Sequence, residues 1–581
     1  MYSNEKNVQI LVGLLKKYNV SEIVLSPGGS DAPIVQSFQY DDFFHCYSVV
    51  DERNSIYFGI GISQIKNCPV ACVCTAGTAV SNFLPGITEA YYQNVRIIAI
   101  TADSPDYMLD QLRLQKIEQR GIFGNCVKKD ITLPSVQTEE EEWACNRLCN
   151  ETLLALDHHG KGPVHINLTI AKTLECNSEK LCEVKPVRRH DLIDYAEIRR
   201  RLFGKKVMIV VGAGLSTNEK LNSVCQIFFE HYNCIFSVET ISNLRCDGCV
   251  TTYPMTETFS IPAEEKYIPD IVISVGNHIA SYFLESYLRE NRSKTENWLV
   301  NESGEIRDPY WSLSDIFEVN PITFIESIIL DKSLEKKDHT YYNLWKNLYK
   351  KTERNIREFS SFHIAHIIAE KIPDGGVLHT AVLNSTRAMQ FSNYLKKNIQ
   401  CYCNLGALGI DGCVATFIGE AVSTKEPAYL LIGDLSFFYG MNGISIRGLT
   451  NNIRIILLNN GGGEEFKIKM NYPDIEEYVC ASKQRKAKGW AVDCGFQYYE
   501  ADNIDSVSYA LDKFAEESDR PMFLEITIDM DKDAHLIREL YKQGRNESNE
   551  GIVGGIKAVV KKAIPDKYKG KAKEIYNIIR S

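Results

Sequence analysis

The chain has 581 residues, a formal net charge of -10 and 44% hydrophobic residues. At roughly 100–200 residues per domain, that length implies three or four domains with ample apolar material for their cores. The acidic balance disfavours a nucleic-acid binder driven by a basic face, and 18 cysteines are too few for a disulfide scaffold. No stretch approaches the roughly 18 apolar residues needed to span a bilayer. The polar start, residues 1–6, does not read as a signal peptide. The expected setting is the cytoplasm, with reduced cysteines. Cys72 and Cys74 lie in an apolar run and read as small hydrophobes. Cys246 and Cys249 form a lone CxxC, with no second pair for a zinc site.

Along the chain, short β-branched runs at 23–25, 70–74, 97–101 and 164–168 read as strands. Segments between them, such as 54–64 and 82–92, read as helices. Such alternation predicts a parallel sheet covered on both faces. The pattern restarts near 205, where 207–211 runs into Gly212 and Gly214, and 271–275 runs into Gly276. That glycine pair lacks the third glycine and the acidic residue of a dinucleotide site. It reads as a strand-end turn, and FAD is not expected. A third restart near 375 brings strands at 377–378, 428–432, 453–458 and 522–528. Polar stretches at 176–190 and 331–357 separate the units. The predicted fold class is α/β: three consecutive parallel-sheet α/β domains at 1–180, 190–335 and 356–545. A lysine-rich helical tail at 546–581 would follow.

Two strand ends in the third unit carry the chemistry. One runs Gly433, Asp434, Leu435, Ser436, and the other Asn459, Asn460, Gly461, Gly462, Gly463. Ligands of open α/β sheets bind beyond the carboxyl ends of strands. Asp434 and Asn460 offer the oxygen ligands that Mg²⁺ takes, and Mg²⁺ is commonly completed by phosphate oxygens. A helix expected after Ser436 would turn N–H groups toward an anion. The glycines would let backbone approach a ligand closely. Either dipeptide alone is an ordinary turn. Together, 26 residues apart, they resemble the thiamine-diphosphate signature. That resemblance implies Mg²⁺ ligation by Asp434, Asn460 and the main-chain carbonyl of Gly462. It also calls for a carboxylate against the aminopyrimidine, which promotes carbanion formation at C2 of the thiazolium. Taken alone, Glu52 is an acid at a helix start, where the dipole favours it. In this context it is the candidate activating acid.

Several segments occur in order: Ser26-Pro27-Gly28, Asp51-Glu52-Arg53, Thr75-Ala76-Gly77-Thr78, Thr101-Ala102-Asp103, Gly409-Ile410-Asp411-Gly412 and Gly433-Asp434-Leu435-Ser436. With them the chain, over about 1–540, resembles the thiamine-diphosphate-dependent 2-succinyl-5-enolpyruvyl-6-hydroxy-3-cyclohexene-1-carboxylate synthases of menaquinone biosynthesis. The resemblance implies a pyrimidine-binding, a central and a diphosphate-binding domain, in a homodimer or homotetramer with active sites between subunits. It implies cofactor contacts from Thr75, Gly77, Leu408, Gly409, Ile410, Gly433, Asp434, Leu435, Ser436 and Asn460, with Gln115 near the reacting centre.

Departures cluster where that family binds substrate carboxylates. Arginines of the family pattern become Ser30, Ser104 and Leu405, and a basic pair falls at Tyr282 and Phe283. Arg387 is retained. An isoleucine becomes Glu465, beside a retained Phe466. Arginine suits carboxylates through its bidentate fork, so the cofactor machinery reads as intact and the substrate pocket as rebuilt. The expected activity is decarboxylation of a small-molecule 2-oxo acid, with protonation of the C2-bound carbanion or its transfer to a neutral or amino-bearing acceptor. Nucleic acid and a membrane span are not expected. The alternatives are the family's own reaction, on 2-oxoglutarate and isochorismate, and a non-catalytic cofactor-binding paralogue.

Overall fold

The computed structural model describes residues 1–542 except 172–174, 191, 216–218, 259, 331–338, 353–356, 393–397 and 470–476. The expected tail at 546–581 lies outside the described residues. Contacts divide the chain into two compact units: Met1–Asp191 with Gly304–Ile316, and Leu192–Ser303 with the chain from Phe317 onward.

The first unit holds a six-stranded parallel sheet. Its spatial order is His45–Ser48, Glu22–Ser26, Val70–Cys74, Ile97–Asp103, Val164–Thr169, Asp130–Leu133. The four strands inside it are buried along their whole length. Helices cover both faces, so the strands read as continuous apolar runs rather than as alternation. Cys72 and Cys74 are fully buried there, as packing residues.

The second unit carries two parallel sheets. One contains Cys249–Thr251, Cys234–Val238, Val207–Val211, Ile271–Val275 and Glu296–Asn301, in that order. Its glycines form a tight crossing: a Cβ on Gly212 would meet the Asn277 carbonyl carbon at 2.8 Å, and Gly214 has φ +89°. The expected strand-end turn is therefore present. Cys246 and Cys249 lie nearby with their sulfurs 3.5 Å apart.

The other sheet runs Gln400–Tyr402, Val377–Thr380, Ala428–Gly433, Ile453–Asn459, Met522–Thr527, Gln497–Ala501. Numbered by sequence, it has the same order as the first sheet: second, first, third, fourth, sixth, fifth. In both, the chain leaves the first strand one way for the second and lies on the other side for the third. That reversal opens a crevice beyond the carboxyl ends of the first and third strands. One detail departs from expectation. The helix after Gly433 spans Asp434–Gly440, so it starts at Asp434 rather than after Ser436. Among the described residues no helix is long and apolar enough to cross a membrane.

A buried carboxylate ties this last sheet together. Glu525 is fully buried and accepts from Asn459 Nδ2 at 2.6 Å, Tyr498 OH at 2.7 Å and the Ala487 N–H at 3.0 Å. Removing it leaves three donors without an acceptor in a dry interior. The expected cost of Glu525→Leu is about 3 kcal/mol. Calorimetric unfolding checks this, with a lowered thermal midpoint as the expected result.

Candidate active site

The crevice of the last sheet is a cavity of about 270 Å³. Residues 381–385 line it from the end of the first strand, and 433–436 from the end of the third. Residues 460 and 462–466 close a third side. Of the residues expected at a cofactor site, the cavity gathers Ile410, Gly433, Asp434, Leu435, Ser436, Asn460 and Gly462. Leu408 and Gly409 lie on the loop that carries Ile410. Ser436 fixes that loop by donating from Oγ to the Ile410 carbonyl at 2.5 Å. Leu408 takes φ +54°, a left-handed turn that a non-glycine residue rarely adopts.

The donor chemistry fits a hard cation. Asp434 is buried at the start of its helix and accepts from the Leu435 N–H at 2.8 Å. Burial pushes its carboxyl up to about 6, against the N–H groups of Leu435 and Gly461. A carboxylate so short of solvent gains from a cation. Asn460 Oδ1 accepts from the Gly462 N–H at 3.2 Å, which folds the glycine run back onto the asparagine. A Cβ on Gly462 would meet the Cys480 carbonyl oxygen at 2.9 Å, so only glycine gives this backbone path. Asp434, Asn460 and the Gly462 carbonyl are all oxygen donors, the set that Mg²⁺ takes.

The same cavity holds two further carboxyls, of which Glu464 stands out in the sequence beside Glu465 and Asp533 does not. Glu464 is buried and accepts from Asn460 Nδ2 at 2.8 Å. Asp533 is buried and accepts from the Ser361 N–H at 3.1 Å. Burial and their mutual repulsion raise Glu464 well above the usual carboxylate range, and burial raises Asp533. Such a pair holds one proton between its members. Glu464 stands beside the glycine run, which is a signal of sorts. Asp533 lies far along the chain and gives none.

In the first unit, the corresponding crevice brings together Ser30, Thr75, Gly77 and Gln115. The Ser30 N–H donates to Thr75 Oγ1 at 3.2 Å. A Cβ on Gly77, which has φ +87°, would lie 3.5 Å from Gln115 Cβ. Gln119, missed in the sequence, is fully buried and accepts from the Gly77 N–H at 3.0 Å. It also donates to Asn167 Oδ1 at 2.9 Å, and Asn167 donates to Asp103. Asp103 in turn accepts from the Ser104 N–H at 2.7 Å, so Ser104 is buried at the end of this network.

Glu52 begins the helix Glu52–Lys66. Asp51 takes the capping role, accepting from the N–H groups of Arg53 and Asn54, so Glu52 is not needed for it. A second acid stands close. Asp31 is fully buried, its Oδ1 accepts from the Gly28 N–H at 2.7 Å, and its Oδ2 has no hydrogen-bond partner among the described residues. Burial first, then the nearby Glu52 charge, push Asp31 up to about 6. A pair of carboxylates in one crevice is a place where a proton is held.

Two crevices with the same strand order, one lined by acids and one by a hard-donor loop, define a class when set beside known sequences. The profile described as thiamine pyrophosphate enzyme, N-terminal TPP binding domain, matches residues 6–122. The chain is a thiamine-diphosphate-dependent enzyme. It belongs to the family of 2-succinyl-5-enolpyruvyl-6-hydroxy-3-cyclohexene-1-carboxylate synthases. The synthase of Bacteroides thetaiotaomicron is 35% identical over 562 residues, covering 94% of this chain and 99% of that protein. That of Christiangramia forsetii is 30% identical, covering 90% and 96%. That of Cytophaga hutchinsonii is 27% identical, covering 91% and 97%.

Asp31 sets a pH dependence. Its folded value of about 6 lies above the ordinary 3.8, so the protonated form is the one folding favours. The contribution is full below about pH 4 and is lost as pH rises through about 6, some 3 kcal/mol in all. Asp31→Asn removes that loss. Its unfolding midpoint should exceed the wild type's more at pH 7.5 than at pH 4.5, as denaturant titrations at both pH values would reveal.

Proposed function

We propose that this enzyme uses thiamine diphosphate and Mg²⁺ to decarboxylate a 2-oxo acid, then protonates the remaining carbon unit or transfers it to an acceptor. The observation that carries this reading is the single cavity shared by Asp434, Ser436, Asn460 and Gly462. When bound, thiamine diphosphate supplies the electron sink that lets a 2-oxo acid lose CO₂. Asp434, Asn460 and the Gly462 carbonyl would ligate Mg²⁺, and Gly433, Leu435 and Ser436 would hold the diphosphate. Leu408, Gly409, Ile410, Thr75 and Gly77 would position the rings. Glu52 would hold a proton at the aminopyrimidine, and Gln115 would face the reacting atoms. Ser30, Ser104, Arg387, Glu465 and Phe466 are the proposed substrate wall.

We also propose a cytoplasmic homodimer or homotetramer. Tyr57, Phe58 and Leu84 are exposed on the helices Glu52–Lys66 and Thr78–Tyr92, an apolar surface of the kind subunits cover. The relatives' own synthase reaction is the second reading, favoured by a match along nearly the whole chain. Incubation with 2-oxoglutarate and isochorismate, followed by mass analysis for an adduct, tests it.

Two substitutions test the first reading. Asp434→Ala should abolish Mg²⁺-dependent binding of thiamine diphosphate in titration calorimetry. Glu52→Gln should keep that binding but lower the rate of CO₂ release at least about 100-fold. Equal rates in wild type and Glu52→Gln would remove Glu52 from the chemistry.

A further inference from the structure

Arg387 sits in the helix Asn384–Gln390 and is only 5% exposed. Its guanidinium fork is already filled. Nη1 and Nη2 bind the two carboxylate oxygens of Glu465, the second pair at 3.1 Å. Nη1 also donates to Asn384 Oδ1. Glu465 lines the cavity, and Arg387 lies behind it. Lys469 pairs with the same carboxylate at 2.6 Å while passing over the ring of Tyr282 at 5.8 Å. Arg387 also acts electrostatically on Glu257, a buried acid of the same unit. Both cations of this wall therefore have resident acids, and the bidentate geometry is the one a bound carboxylate would take.

We propose that Glu465 is a built-in occupant of the Arg387 fork, so that this wall of the cavity selects 2-oxo acids whose side chain carries no carboxylate. The proposal deepens the reading above and rests on it. A carboxylate-tailed acid would have to displace Glu465 from the fork and leave it with Lys469 alone, beside a second negative charge, which disfavours binding. An uncharged tail meets no such conflict, and Phe466 beside Glu465 offers it apolar contact.

The test uses the full-length protein loaded with thiamine diphosphate and Mg²⁺, with glutarate as an unreactive carboxylate-tailed probe in titration calorimetry. Glu465→Gln and Glu465→Ile should each bind glutarate at least about tenfold more tightly than wild type, because the fork is released. Adding Arg387→Met to either should erase the gain. No gain in a variant that melts like wild type, or a gain that survives Arg387→Met, overturns the proposal. Wild type alone gives a second readout. CO₂ release from 2-oxobutyrate should exceed that from 2-oxoglutarate, and the reverse preference overturns the proposal without any variant. If neither acid is consumed, the proposed activity fails, while the glutarate titrations still decide the state of the fork.

Discussion

Parallel pairing is the constraint from which the rest follows. When every strand of a sheet points the same way, all carboxyl ends meet at one edge, and each loop there starts from a fixed point. The order second, first, third then parts two neighbouring loops and leaves a crevice between them. In the last sheet that crevice collects Asp434, Asn460 and Gly462 from the ends of strands buried along almost their whole length. In the first sheet it collects Ser30, Thr75 and Gly77. The chain uses one architectural solution twice, and the chemistry of each edge depends only on which side chains end the strands.

Burial gives those side chains their properties. A carboxylate at the surface is an inert charge. Asp31 and Asp434, short of water, are pushed up to about 6, and burial raises both Glu464 and Asp533 above the ordinary carboxylate range. Where burial brings an acid against arginine, the outcome reverses. Glu465 is held below the usual carboxylate range because Arg387 and Lys469 outweigh its desolvation. Within one unit, then, neighbouring acids are pushed in opposite directions: Glu464 up by burial, Glu465 down by Arg387 and Lys469.

Much of this was legible in the sequence. The runs at 70–74, 97–101 and 164–168 announced strands because strands covered on both faces need apolar residues at every position. The repeats of the pattern near 205 and 375 announced further sheets. The dipeptides at 433–434 and 459–460 announced a ligand edge because each closed such a run. Other features left no local mark. Gln119 and Asn167 act through a network that the fold assembles from separate strands and loops. Asp533 reaches the cavity from beyond the last strand of the sheet. The CxxC, visible at once, brings two thiol sulfurs 3.5 Å apart.

The sequence by itself determined the strand pattern, the family and the oxygen-donor loop, because these depend on residues within a few positions of one another. Tertiary structure alone decided that Asp31 is buried within reach of the Glu52 charge, and that Arg387 is engaged by a residue 78 positions away. The arginine in the sequence read as a free guanidinium awaiting a substrate acid. Folding placed Glu465 in its fork, because a buried cation without a partner is far costlier than a paired one.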